Sequence, residues 1–288
     1  MRLLWEFVVF LVWGAGITPI AISLSMRYGM MDYPNQRKIH HHPVPRGAGI
    51  VLWSGLLLWV LLFADVTFEL RIIATGATVV FFAGYVDDML SLSPYGRLAV
   101  HFFAAALSLL MLDSQNILYT AVYLFWIAGM TNAYNFIDGM NGLALSMAFL
   151  SLGFLGLMGM LEWVLPVLAM ILGLFLWNFP TAKTFLGDGG VYLLGYFTAN
   201  VALLALLPHK LGFFKLCAMF LFVGGVPVID TLSAIIRRVM EGKSPFYPDR
   251  RHIHHKLLDK GLTPPEVLVI LCLLQMLSLG CAYLVYTV

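Results

Sequence analysis

Residues 72–88 read IIATGATVVFFAGYVDD, the body of an apolar run that begins near Leu70 and ends on two adjacent carboxylates, Asp87 and Asp88. A side-chain charge held in hydrocarbon costs between about 3 and 15 kcal/mol, so a carboxylate pair at the end of such a run belongs at an interface or in a wet cavity. The stretch is therefore read as a membrane helix whose acidic end marks a membrane face and a candidate site. Taken alone, the pair reads equally well as a simple helix stop, and the other loops decide between the two.

The rest of the chain has the same character. Of its 288 residues 61% are hydrophobic and 11% charged, with a mean hydropathy of +0.89, which excludes a chain that folds in water. A hydrocarbon core about 30 Å thick takes about 20 apolar residues per helix. Backbone polar groups in lipid must be satisfied internally, and the short alternating segments of a barrel are absent. The expected fold is an all-α polytopic membrane protein of about ten transmembrane helices in one domain, residues 1–288. The ten apolar segments run approximately over Leu3–Ser25, Ile50–Phe63, Ile72–Val86, Leu98–Leu112, Ile117–Tyr134, Leu143–Met160, Trp163–Phe179, Val191–Leu207, Phe213–Ile236 and Pro265–Thr287. The second, third and fourth are short. The first is too long for a signal peptide and no A-x-A site follows it, so it is kept as a helix. Cys217, Cys272 and Cys281 all fall inside apolar runs without metal-ligand spacing and read as packing residues.

Alternating crossings place five loops on one side: Met26–Gly49, Asp87–Arg97, Asn135–Gly142, Thr181–Gly190 and Arg237–Pro264. They hold most of the lysines and arginines, while the other side keeps Arg2, Arg71, Lys210 and Lys215. By the positive-inside rule the first set faces the cytoplasm and both termini face out. The same face collects Asp87, Asp88, Asn135, Asp138, Asn141, Asp188, His252, His254 and His255. A secondary transporter, the reading from another functional class, would place such groups at the bilayer midplane on broken helices. The net charge of +2 gives no reason to expect a nucleic-acid partner.

Carboxylates on several loops, with glycines beside them and basic residues around them, suit a divalent cation that holds a phosphorylated substrate. Phe185 to Gly190 places Asp188 on a turn just before a helix beginning near Val191, where free backbone N–H groups favour an anion. By itself this segment reads as a glycine turn with a capping Asp188. Arg237, Arg238, Arg250, Arg251 and Lys256 surround His252, His254 and His255, a cluster suited to a pyrophosphate or an anionic headgroup. Zinc is disfavoured there and at Arg37–Pro43, because no HExxH or cysteine partner accompanies the histidines. Asp230 follows Gly224, Gly225 and Pro227, which allow its helix to break; it either drops into a wet cavity or caps the second half-helix.

The ordered motifs Asp32-Tyr33-Pro34-Asn35, Arg37-Lys38-Ile39-His40, Pro43-Val44-Pro45-Arg46, Gly84-Tyr85-Val86-Asp87-Asp88, Asn132 to Ala144, Phe185 to Gly190 and His252 to His255 resemble the polyprenyl-phosphate N-acetylhexosamine-1-phosphate transferases. The likeness covers most of the chain and is closest to the bacterial undecaprenyl-phosphate GlcNAc-1-phosphate branch. It implies an enzyme of the bacterial cytoplasmic membrane that moves a sugar 1-phosphate from a UDP-sugar to a polyprenyl phosphate and releases UMP. It also implies a requirement for Mg2+, with Mn2+ as a substitute, and an active site in the cytoplasmic loops. By that resemblance Asp87 and Asp88 are catalytic near the lipid phosphate, Asp87 as base or, in an older scheme, as nucleophile. Asp188 and Asn135 bind the metal, and Asp138, Asn141 and Phe185 line the uridine pocket. Arg46, Arg97, Arg251, His252, His254 and His255 hold the pyrophosphate, sugar or lipid phosphate. Membrane lipids are further partners, and the family allows a homo-oligomer.

Four positions depart from the pattern. Asn141 replaces the second acid of IDGxDG, as it does in the eukaryotic GlcNAc-1-phosphate members; Ala48 replaces a glycine; Gly189 and Val191 replace hydroxyl residues. The His-x-His-His form resembles the branch using UDP-GlcNAc-type donors. The alternative donor is UDP-MurNAc-pentapeptide.

Overall fold

The computed structural model describes residues 1–34, 42–112, 116–247 and 251–287. Most of the Arg37–Pro43 stretch, together with Asn35 and Arg250, lies outside the described residues. The elements in order are α1 (Arg2–Arg27), β1 (Met31–Asp32), β2 (Val44–Pro45), α2 (Gly49–Leu62), α3 (Phe68–Leu90), α4 (Pro94–Ser108), α5 (Ile117–Ile137), α6 (Leu143–Leu155), α7 (Leu161–Asn178), α8 (Gly187–Leu206), α9 (Phe213–Met240), α10 (Ile253–Asp259) and α11 (Pro264–Thr287). Every one of the ten apolar segments is a helix, and the chain is an all-α polytopic membrane protein. Among the described residues seven stretches are long and apolar enough to cross a membrane: α1, α3, α4 with its 3-10 extension, the combined α6–α7 stretch, α8 with its extension, α9 and α11. The 14 residues of α2 reach only about 21 Å. In α5 the apolar run is diluted by Tyr119, Tyr123, Asn132, Tyr134 and Asn135.

α8 is the centre. Nearly every side chain along it is buried, on all sides, as expected of a helix that is apolar all round. α2, α3, α5 and α6 pack around it, α1 lies on α7, and α9 packs against α5 and α11. Two polar side chains of α8 find partners in the core: the Tyr196 hydroxyl is 2.7 Å from that of Ser108, and Asn200 donates to the Tyr196 carbonyl. Trp126 donates to the Ala199 carbonyl at 3.0 Å, and Gly195 lies against Met130 and Thr131. These contacts make α5 and α8 antiparallel, so the last turn of α5 is level with the first turn of α8. The 36 residues from Leu143 to Asn178 would extend about 54 Å as one straight helix. They are broken instead at Gly159, which has a φ of +100°, and α6 packs back against α7.

Three boundaries differ from the sequence reading, and at each an aspartate side chain takes a free backbone N–H. α3 does not stop at the acidic pair but continues to Leu90, so Asp87 and Asp88 lie in its last turn. Asp87 closes that end by accepting from the Leu92 N–H at 2.7 Å. α8 starts at Gly187 rather than near Val191, so Asp188 is in its first turn, and the cap comes from Asp88 of α3. The Arg237–Pro264 loop contains the helix α10, whose first N–H is taken by Asp230.

α9 breaks where its glycines and proline allow, with Gly225 at φ +50°. The backbone groups freed there are satisfied from neighbouring helices, the condition for a broken helix at membrane depth. Gln275 of α11 accepts from the Val226 N–H at 2.8 Å and donates to the Val223 carbonyl, and Ser151 of α6 donates to that same carbonyl at 3.1 Å.

Candidate active site

Consecutive helical residues point about 100° apart, so Asp87 and Asp88 face different partners. Asp87 faces α4 and α8: Arg97 approaches its Oδ2 to 3.4 Å, and the Tyr192 hydroxyl donates to the same oxygen at 2.9 Å. Asp88 faces the first turn of α8 and the β1–β2 segment. Its Oδ2 accepts from the Asp188 N–H at 2.9 Å. Arg46 bonds the Asp88 carbonyl and lies 3.4 Å from its Oδ1 and 3.8 Å from Asp32.

This junction is why the sequence needs glycine at two of its positions. Gly187 has a φ of +71°, and a Cβ there would overlap the Asp88 carboxylate; a Cβ on Gly84 would overlap the Gly189 nitrogen. The Gly-Asp-Gly-Gly run is thus the surface by which α8 seats against α3. Tyr192 follows Asp188 by one helical turn and faces the same acids; that spacing was present in the sequence, but a tyrosine in an apolar run reads as core.

The loop after α5 joins the same end. Asp138 caps α5, and Asn135 sits in its last turn, level with Asp188 by the helix register. Burial, then the charges of Asp88 and Asp32, push the Asp138 carboxyl up to about 7. Asn141 donates to the Pro180 carbonyl at 3.0 Å. Asn178 accepts from Gly142 N–H and donates to the Thr184 carbonyl. Phe185 donates its N–H to the Pro45 carbonyl at 2.9 Å and accepts from Gly47 and Ala48. The segments around Arg46, Asn141 and Phe185 are therefore stitched into one platform.

The histidines close over it. The His254 ring lies on the backbone of Gly139, where a Cβ would overlap Nε2. His254 is buried, neither ring nitrogen has a hydrogen-bond partner, and burial followed by the neighbouring His255 and His252 pulls its pKa down to about 3. A neutral, unsatisfied imidazole in that place calls for a polar ligand. His252 stacks on Phe136 and bonds Asp230 through Nδ1 at 2.7 Å. Arg251 makes a bidentate pair with Glu241, at 2.6 and 2.8 Å.

Of the predicted residues, Asp87, Asp88, Asp188, Arg46 and Arg97 form one cluster, with Asp138 within electrostatic reach of Asp88. His254 meets the Asp138–Gly142 loop, and Arg251 is held by Glu241. The Asp188 carboxyl is also in hydrogen-bond reach of the Asp87 carboxyl. Two carboxylates so close need a shared proton or a cation between them. An all-oxygen donor set suits a hard divalent ion, and among the described residues no group of three or more acids, histidines or cysteines forms a complete cage. Mg2+ typically leaves such sites to be completed by water and substrate phosphate.

Beside this cluster an apolar groove of about 740 Å³ runs between α4, α5 and α9. Leu98, next to Arg97, and Phe136, which stacks on His252, are among its lining residues, with Phe125, Trp126, Phe220 and Leu232.

The model of glycosyl transferase family 4 matches residues 70–206. The chain is 31% identical to the Bacillus subtilis protein named "Probable undecaprenyl-phosphate N-acetylglucosaminyl 1-phosphate transferase", across 91% of this chain and 79% of that one. It is 31% identical to the undecaprenyl-phosphate alpha-N-acetylglucosaminyl 1-phosphate transferase of Haemophilus influenzae, across 92% and 81%. Against the decaprenyl-phosphate N-acetylglucosaminephosphotransferase of Mycolicibacterium smegmatis it is 30% identical, across 83% and 71%.

Proposed function

The chain belongs to glycosyl transferase family 4, and from that premise we propose that it transfers GlcNAc 1-phosphate from UDP-GlcNAc to undecaprenyl phosphate at the cytoplasmic face of a bacterial inner membrane. The observation that carries this reading is the junction of an acid–arginine cluster with an apolar groove: Arg97 holds Asp87, and the adjacent Leu98 lines the groove. A substrate that is a phosphate on a long hydrocarbon tail has that division of chemistry. The names of the relatives supply the sugar and the class of lipid.

In the reaction an oxygen of the lipid phosphate forms a bond to the sugar-bearing phosphorus of the donor. The bond from that phosphorus to the bridging oxygen breaks, and its electron pair leaves on UMP. Both partners are anionic, so the barrier is dominated by charge. Arg46 and Arg97 supply fixed positive charge, each already oriented by a carboxylate. Asp188 with Asn135 would hold Mg2+, whose charge would offset the repulsion between the phosphates and the charge left on the departing UMP. A phosphate monoester has its second pKa near 6, so most of the acceptor is already a dianion at neutral pH. Asp87 then acts as a proton acceptor only for the monoanionic fraction. The platform of Asp138, Asn141 and Phe185 receives the uridine, and His252, His254 and His255 lie toward the pyrophosphate and sugar.

The test is the lipid product. Purified protein given UDP-GlcNAc, undecaprenyl phosphate and Mg2+ should yield a lipid heavier by one N-acetylhexosamine phosphate by mass spectrometry. The product should be absent with EDTA, and absent from Asp188→Asn.

A further inference from the structure

The cluster described above leaves the buried acid Asp230 of α9 unexplained. Asp230 lies one turn beyond the break in α9, and Asp230, Ala234 and Arg238 recur every four residues on the buried face of the half-helix. Its two oxygens have separate duties: Oδ2 is 2.7 Å from His252 Nδ1, and Oδ1 accepts from the Ile253 N–H at 3.0 Å. It therefore grips both the first histidine of the cluster and the backbone from which α10 and His254 project.

We propose that Asp230 is a positioning residue for the transfer: it holds His252 in the tautomer with the proton on Nδ1, leaving Nε2 for the ligand, and it sets His254 over Gly139. The proposal rests on the transferase reading. A carboxylate on one imidazole nitrogen fixes both the ring's orientation and which nitrogen is bare, as in other carboxylate–histidine pairs. Phe136 and His254 stack against the ring at 5.7 and 6.0 Å between centroids, which adds to the hold on its orientation. Asp230→Asn is the informative change. Its amide oxygen still serves the Ile253 N–H, but its NH2 group faces Nδ1 and forces the proton onto Nε2.

The experiment combines turnover with a spectroscopic readout. In wild-type protein the ring 15N shifts of His252, assigned by their loss in His252→Ala, should show a protonated Nδ1; a bare Nδ1 would overturn the proposal whether or not any variant folds. Asp230→Asn should lower kcat by about ten- to hundredfold with an unchanged Tm, and Asp230→Asn combined with His252→Ala should be no slower than His252→Ala alone. Wild-type turnover in Asp230→Asn, or losses that multiply in the double variant, would overturn it. If the wild-type protein makes no lipid product, the transferase reading falls instead, and the 15N result still decides the tautomer.

Discussion

The Asp188 backbone N–H donates to the Asp88 carboxylate at 2.9 Å, so one acid of the cluster caps the helix whose first turn carries another. This divides the acids by role. Asp88 is held by Arg46 and by α8, whereas the Asp188 carboxyl faces that of Asp87.

The division predicts opposite stability effects for two substitutions that both abolish turnover. Asp88→Asn turns an NH2 group toward either Arg46 or the Asp188 N–H and should cost about 2 kcal/mol, lowering Tm by several degrees. Asp188→Asn removes a carboxylate from contact with Asp87 and should leave Tm unchanged or higher. Thermal unfolding of both variants in detergent, beside product formation, checks this.

Gly84→Ala should not assemble, because the new methyl group meets backbone of α8 rather than a side chain that can swing away. Gly153→Ala and Gly280→Ala, where a Cβ meets nothing within 4 Å, should be neutral. The monodisperse yield of the three variants by size exclusion decides the point.

Asp138 makes stability depend on pH. Its carboxyl titrates near 7 in the fold against an ordinary 3.8. The native state therefore binds more protons than the unfolded chain between those values, and stability falls as pH rises from about 4 to about 7. Asp138→Asn removes this group, so its Tm should vary less with pH and exceed wild type at pH 8, while uridine-dependent activity is lost. Scanning Tm from pH 5 to 8 for both proteins measures the difference.

Gln275→Leu should destabilise the protein by about 1–3 kcal/mol for each backbone group it strands at the break in α9. The Val226 N–H loses its acceptor, while the Val223 carbonyl keeps Ser151. Gln275→Glu, which retains an acceptor, should recover part of the Tm.

The apolar segments and the convergence of acids, arginines and histidines were legible because both follow from residue type: lipid demands long apolar runs, and charge must gather where water or ligand compensates it. The break in α9 was legible from Gly224, Gly225 and Pro227. What the sequence could not give is contact between segments distant in the chain. The early start of α8 depends on Asp88, about a hundred positions upstream, and α10 depends on Asp230. Arg251 read as an anion ligand because a basic loop does not announce that Glu241 will take it. Tyr192 lies in an apolar run that carries no site signal, and only its position across from Asp87 gives it a part in the site.

The most direct measurement is UMP release from UDP-GlcNAc by the purified protein, with undecaprenyl phosphate and Mg2+ present together or each omitted. The account predicts release only when both are present, and none from Asp188→Asn. No release from intact, monodisperse protein with UDP-GlcNAc, or release that needs no lipid acceptor, would contradict it.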